Sequence, residues 1–114
     1  MMDCLFCKIA AGEIPSKKIY EDEIVYAFYD IQPAAPTHFL VIPKAHTMEN
    51  CAQINEENAQ IMGHIFQVIA RLARQLGLEE NGYRVVTNCG EDAGQTVRHL
   101  HFHVLGGGPL GKMA

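Results

Sequence analysis

Three histidines, His99, His101 and His103, alternate with Leu100, Phe102 and Val104 near the end of the chain. In a β-strand, residues two apart project to the same face, about 6.6–6.8 Å from one another. The pattern therefore lines one face of a strand with imidazoles and leaves the opposite face three apolar side chains to bury. Imidazole titrates near neutrality, so it can act as a nucleophile, an acid, a donor to an anion or a metal ligand. On a regular strand His99 and His103 would lie about 13 Å apart, too far for one ion to take all three. At least one imidazole is left for other chemistry.

A second group with chemical potential is Cys4-Leu5-Phe6-Cys7. Its spacing is that of half a zinc site, since structural zinc takes four ligands. His46 and His99 are both available to complete it. A thioredoxin-like redox pair would instead follow a strand and open a helix inside a βαβ unit, and no strand precedes this one. Cys51 and Cys89 have no partner at a recognisable spacing, so packing is their default role. His38 reads as a hydrogen-bonding residue within its strand, and His64 as a side chain on the surface or on a dimer face.

The elements that must position these residues follow from periodicity and turn chemistry. Residues 4–11 read as a short helix, with Asp3 as N-cap and Gly12 as its stop. Residues 18–21 and 24–29 read as two strands around a tight Asp22-Glu23 connection. A proline-bracketed loop, 30–36, leads into a third strand, 37–42, ended by Pro43. Residues 55–76 form the one long helix, with Asn55 as N-cap and Gly77 at the end. Met62, Ile65, Phe66, Ile69, Leu72, Ala73 and Leu76 recur at spacings of three and four and give it one apolar stripe. Residues 83–88 and 99–105 are the fourth and fifth strands, separated by the glycine-bearing acidic loop 90–95. The expected fold class is α+β: a five-stranded antiparallel sheet with one long and one short helix, the helices on one face. There is no internal repeat, and 114 residues fit a single domain, 1–114.

Composition narrows the function. Apolar residues are 48% and charged residues 19%, a globular balance that needs no disulfides at this length. The net charge of −4 leaves no basic surface to displace counterions, which argues against a nucleic-acid polymer as partner. The first residues lack a positive segment followed by an apolar one, and the stretch 61–76 is too short and too polar to span a bilayer. A cytoplasmic location and reduced thiols are therefore expected, with no membrane partner.

His99-Leu100-His101-Phe102-His103-Val104-Leu105 resembles the His-φ-His-φ-His-φ-φ signature of the histidine-triad nucleotide hydrolases and transferases. Gly94-Gln95-Thr96-Val97 resembles that family's phosphate segment, with Thr in place of the more familiar Ser. Asp30-Ile31, Pro33, Pro36 and Thr37-His38-Phe39-Leu40-Val41-Ile42-Pro43-Lys44 resemble a stretch of its Hint branch, and the similarity runs from about Cys4 to Gly107. The resemblance implies a HIT-like fold and a nucleotide hydrolase. The implied reaction is that of a purine nucleoside phosphoramidase, cleaving AMP or GMP phosphoramidates or acyl-adenylates through a nucleotidyl-histidine. A dinucleoside polyphosphate hydrolase, or a nucleotide-binding regulatory or scaffold protein, is the alternative.

By the same resemblance His101 is the nucleophile, and His103 binds phosphate or passes a proton to the leaving group. Asn88 contacts phosphate or ribose, Asp30 holds the ribose hydroxyls, and Leu5, Phe6, Ile9, Phe28 and Ile31 form an apolar slot for the base. Gln95, Thr96 and Val97 complete the nucleotide site. A phosphoryl group in transfer needs neutral or positive donors, and the Gln95 amide, the Thr96 hydroxyl, glycine-loop N–H groups and His103 can supply them. Whichever imidazole attacks does so through Nε2 if an acceptor holds its Nδ1–H. Relatives with the Cys pair imply a structural zinc on Cys4, Cys7, His46 and His99, with no organic cofactor. They also imply a homodimer through residues 55–76 and 83–88. Arg98 departs from the apolar or proline residue expected before the triad. Residues 109–114 carry no Trp, unlike the tails of vertebrate relatives, so leaving-group preference does not transfer.

Overall fold

A computed structural model describes residues 4–113. Helix α1 (Leu5–Ala10) precedes a hairpin of β1 (Lys18–Glu21) and β2 (Val25–Tyr29), then β3 (Thr37–Pro43). Helix α2 (Ala59–Gln75), β4 (Tyr83–Val86) and β5 (Phe102–Gly106) complete the chain. All pairings are antiparallel, in the order β1-β2-β3-β5-β4, so the last strand inserts beside β3 and β4 takes the edge. The α+β class, the five strands and the long and short helices are as the sequence predicts.

The two helices, however, lie on opposite faces of the sheet rather than on one. Val25 and Ala27, Phe39 and Val41, and Leu100, Phe102 and Val104 pack with Ile65, Val68, Ile69 and Leu72 of α2. The alternate residues Tyr26 and Phe28, Leu40 and Ile42 pack with Phe6 and Ile9 of α1. Successive side chains of a strand point to opposite faces, and β2 and β3 are apolar at nearly every position, so both faces demand cover. Each fully buried side chain of this size contributes about 1.5–3 kcal/mol. The near-continuous apolar runs 25–28 and 39–42 carried that information.

Several boundaries shift for local reasons. The expected N-cap Asp3 lies outside the described residues; the cap is Cys4, whose Sγ accepts the Cys7 N–H at 3.3 Å. Gly12 ends α1 as expected, with φ +81°, where a side chain would be strained. Helix α2 starts four residues later than predicted, because the Asn55 carboxamide accepts from the Glu57 and Asn58 N–H groups and closes a separate turn first. Strand β4 ends at Val86, short of Asn88. Strand β5 starts only at Phe102, so His99 and His101 stand in the approach to the strand rather than in it.

His64 is not a free surface side chain. Its Nε2 lies 2.7 Å from Asp22 Oδ2, and Asp22 also accepts from the Ile24 and Val25 N–H groups and the Tyr20 hydroxyl. Partial burial works to raise the Asp22 carboxyl, but these hydrogen bonds outweigh it and hold the group well below the usual carboxylate range. The β1–β2 turn is thereby tied to α2. Among the described residues no helix is long and apolar enough to cross a membrane.

Candidate active site and metal centre

The approach to β5 alternates as a strand would, so Leu100, Phe102 and Val104 enter the α2 core while the three imidazoles turn to the α1 side. They do not end up equivalent. His99 is completely buried and His101 nearly so, while His103 is half-buried. Phe6 of α1 meets His101 edge-on at 4.9 Å and Phe28 at 5.7 Å between centroids, so the short helix wedges the middle imidazole in place.

The hydrogen bonds fix the proton on each ring. His101 Nδ1 lies 2.7 Å from the His99 carbonyl oxygen, which can only accept. The ring therefore carries its proton on Nδ1 and leaves a lone pair on Nε2. His38 Nδ1 accepts the Ala34 N–H at 3.0 Å, so the proton of its neutral ring sits on Nε2. That Nε2–H donates to His103 Nδ1 at 2.9 Å, which puts the proton of His103 on its own Nε2. Adjacent rings, 5.2 Å apart between centroids, thus offer opposite functions: a lone pair from His101 and a donor from His103. Burial pushes His101 and His38 below the ordinary imidazole value, against the opposing pull of the His99 carbonyl and of Asp30. Burial, then the neighbouring His101 and His38, lowers His103 to about 4, with Asp30 opposing.

His38 joins this imidazole chain although the sequence marks it only as a hydrogen-bonding residue of its strand. Nothing in its own strand marks that contact. The signal is the topology: β5 pairs with β3 so that Leu40 faces His103, which sets His38 one diagonal step away. Asp30, at the end of β2, places Oδ2 3.5 Å from His38 Nε2, while its Oδ1 accepts the Gln32 N–H. A cleft of about 690 Å³ opens here, lined by Ser16, Lys17, Tyr29, Asp30, Ile31 and His38 among others. That size suits a small ligand.

The remaining predicted site residues divide. Phe6, Ile9 and Phe28 are buried and pack as the core of the α1 face, whereas Leu5 and Ile31 are exposed, Ile31 at 89%. Val97 packs against that same cluster. Asn88 is half-buried beyond β4; Val86 faces His103, and Thr87 Oγ1 donates to the His101 carbonyl, which brings Asn88 toward His101. Thr96 is exposed. The Gln95 amide is not free to donate to a ligand. Its Nε2 donates to the Glu49 and Val97 carbonyls, and its Oε1 accepts from Asn50 Nδ2 and the Gly90 N–H. Gln95 is a clamp between two segments, and Gly94 before it takes φ +84°. Arg98 is exposed, with its guanidinium 3.8 Å from Glu49 Oε1.

Cys4, Cys7, His46 and His99 converge so that one donor atom from each lies within 4.8 Å of all the others. Cys4 Sγ is 3.2 Å and Cys7 Sγ 3.6 Å from His99 Nδ1, and Cys7 Sγ is 3.3 Å from His46 Nδ1. Tetrahedral zinc with two sulfur and two nitrogen ligands needs donor separations of about 3.3–3.8 Å. His99 Nε2 donates to the Pro43 carbonyl and His46 Nε2 to the Arg98 carbonyl, each at 2.7 Å. Both rings therefore aim an Nδ1 lone pair at the sulfurs, with the far nitrogen held as in metal sites. Burial, then the hydrogen bond and charge of Cys4, pushes the Cys7 thiol up to about 11. A bound dication would displace that proton. The residues fit a metal ion.

Comparison with known proteins agrees with this geometry. Residues 11–110 match the family model described as HIT domain. The chain is 43% identical over 111 residues to the purine nucleoside phosphoramidase of Escherichia coli, covering 97% of this chain and 92% of that protein. It is similar to the solved HIT family hydrolase from Clostridium thermocellum, with 52% identity, TM-score 0.94, and 99% and 97% of the two chains covered. It is also similar to a histidine triad protein from Clostridium difficile, with 48% identity, TM-score 0.95, and coverage of 100% and 98%.

The lowered value of His103 makes a prediction about stability. The unfolded chain takes up a proton near the ordinary value of about 6.5, while the folded chain resists until about pH 4. Stability is then full above about pH 6.5 and drains away as the pH falls toward 4. Urea midpoints should drop from pH 7.5 to pH 5, and His103→Gln should shrink that drop; an equal drop in the variant refutes the assignment.

Proposed function

Because this chain belongs to the HIT domain family and is a hydrolase, we propose that it cleaves the P–N bond of purine nucleoside phosphoramidates through a nucleotidyl-histidine on His101. The single observation that carries this reading is the 2.7 Å hydrogen bond from His101 Nδ1 to the His99 carbonyl, which leaves the Nε2 lone pair as the attacking atom. In the first step that lone pair forms a bond to the α-phosphorus in line with the leaving amine. The P–N bond breaks and the amine nitrogen takes a proton. That proton comes from solvent, while the His103 Nε2–H donates a hydrogen bond to a phosphoryl oxygen as charge builds. His38 holds His103 in the required tautomer. In the second step water attacks the same phosphorus, loses its proton to solvent, and the P–Nε2 bond breaks to release the nucleoside monophosphate and neutral His101.

Asp30 is assigned the ribose hydroxyls, for which its carboxylate beside the cleft is suited. Exposed Leu5 and Ile31, with buried Phe6, Ile9 and Phe28, are assigned the base; Ile31 lines the cleft with its side chain left open, which favours a flat ring over plain packing. Asn88, Thr96 and the backbone N–H groups of 94–97 are assigned the phosphate, with Gln95 bracing that segment and Val97 packing beneath it. A neutral constellation of this kind binds one mononucleotide without a basic surface. Residues 1–114 are taken as one HIT domain acting in the cytoplasm, as a homodimer through α2 and the edge strand β4. Phe66 and Tyr83 are exposed there.

Zinc is assigned to Cys4, Cys7, His46 and His99. It would supply a fixed tetrahedral anchor at the start of α1. That anchor would hold Phe6 against His101 and leave His101 and His103 for chemistry.

The function is tested with adenosine 5′-phosphoramidate and diadenosine polyphosphates as competing substrates. The phosphoramidate should show the higher kcat/KM, and His101→Ala should lose at least about 10³-fold in its turnover while still binding AMP. Faster cleavage of the polyphosphates would favour the dinucleoside hydrolase. Turnover that survives His101→Ala would sink the mechanism. For the metal, purified protein should carry about one zinc per chain and Cys4→Ser far less; metal-free wild-type protein prepared without chelators excludes the site.

A further inference from the structure

Two cysteines stand outside both the imidazole chain and the Cys4–Cys7–His46–His99 cluster. Cys51 opens a short 3₁₀ turn, Cys51–Gln53, directly after Asn50. Cys89 follows Asn88 in the loop after β4. They are 38 positions apart in sequence, yet their chain neighbours converge on one atom. Asn50 Nδ2 and the Gly90 N–H both donate to Gln95 Oε1, at 3.3 and 2.9 Å. The Gln95 Nε2 donates to the Glu49 carbonyl at 2.6 Å and closes the clamp. Asn50 and Gly90 flank Cys51 and Cys89 directly, so the shared contact on Gln95 brings the two cysteines into one neighbourhood. Cys89 is exposed, and Cys51 is half-buried against the α2 core.

We propose that Cys51 and Cys89 are a reversible oxidation site that forms a disulfide when the protein meets a peroxide or a small-molecule disulfide. Two thiols whose chain neighbours are held on one clamp need only a local approach to reach the S–S bond length of about 2.05 Å. The exposure of the two side chains orders the steps. The Cys89 sulfur attacks one peroxide oxygen; an S–O bond forms, the O–O bond breaks and water leaves, giving a sulfenic acid on Cys89. The Cys51 sulfur then attacks the Cys89 sulfur. The S–S bond forms, the S–O bond breaks, and the hydroxide departs with the Cys51 proton as a second water. Two thiols have lost two electrons and the peroxide has gained them. With a small disulfide the same two attacks expel two molecules of thiol, and excess thiol reverses the bridge. Burial, then the neighbouring Cys89, pushes the Cys51 thiol up, which suits it to the second, resolving attack rather than the first.

The bridge would fasten 49–51 to 88–90, the two segments that Gln95 spans, and would enclose the whole of α2 and β4 in one covalent loop. A loop of that length removes substantial freedom from the unfolded chain.

The test uses the reduced full-length protein treated with hydrogen peroxide, alkylated and digested with trypsin. Residues 45–71 hold Cys51, residues 85–98 hold Cys89, and residues 1–8 hold both Cys4 and Cys7, so oxidation of each pair is scored separately. The 45–71 and 85–98 peptides should appear cross-linked, lighter by two hydrogens than their sum, and separate on adding dithiothreitol. The oxidised protein should melt higher, by on the order of 10 °C, and Cys89→Ser should show neither the cross-link nor the shift. Recovery of the two peptides as separate species, alkylated or carrying only added oxygen, overturns the proposal. So does a melting shift that persists in Cys89→Ser.

Discussion

One hydrogen bond sets the rest of the site: the His99 carbonyl oxygen accepts the Nδ1 proton of His101 at 2.7 Å. A free imidazole exchanges its proton between two nitrogens, and only one tautomer can attack through Nε2. Here the choice is made by the backbone two residues upstream, so the nucleophilic form needs no other side chain to orient it. That arrangement requires His99 itself to be immobile. Its ring is completely buried, tied to the Pro43 carbonyl through Nε2 and facing the sulfurs of Cys4 and Cys7 through Nδ1. The Cys/His cluster and the imidazole chain are therefore one mechanical unit, joined at His99. Helix α1 belongs to it too, since Cys4 starts the helix and Phe6 leans on His101.

The second imidazole is set in the opposite sense by a different route. Ala34 N–H determines His38, and His38 determines His103. Two adjacent rings thus present a lone pair and a proton. Burial keeps both rings neutral at physiological pH, and two imidazolium ions this close would repel. In the proposed reaction His101 takes up positive charge only on bonding to the phosphoryl group, whose negative charge compensates it, while His103 stays neutral and donates. This explains how a chain with net charge −4 can handle a nucleotide. The anion is met by local donors, not by a basic face.

Legibility followed the range of the interactions. The alternation of His99, His101 and His103 with Leu100, Phe102 and Val104 is a local pattern, and it correctly sorted imidazoles from core. The Cys4-x-x-Cys7 spacing marked a half-site, and its completion by His46 and His99 was reached only through resemblance, because those contacts span 39 positions or more. His38 carries no local mark of its contact, because its partner His103 is 65 positions away and becomes its neighbour only when β5 inserts beside β3. Gln95 looked like a ligand donor because a free amide offers N–H groups; the structure spends them on Glu49 and Val97. The two-faced sheet was legible in the unbroken apolar runs of β2 and β3, yet an antiparallel sheet suggested a single covered face. Asn55 marked a turn rather than the helix start, since a short polar side chain caps either equally well.

The claim on which the account rests is the tautomer of His101. Long-range ¹H–¹⁵N correlation spectra of ¹⁵N-histidine-labelled protein at pH 7 report it directly. The account predicts that His101 is neutral and protonated at Nδ1, with an unprotonated Nε2, while His38 and His103 are protonated at Nε2. A His101 ring protonated at Nε2, or at both nitrogens, would contradict it.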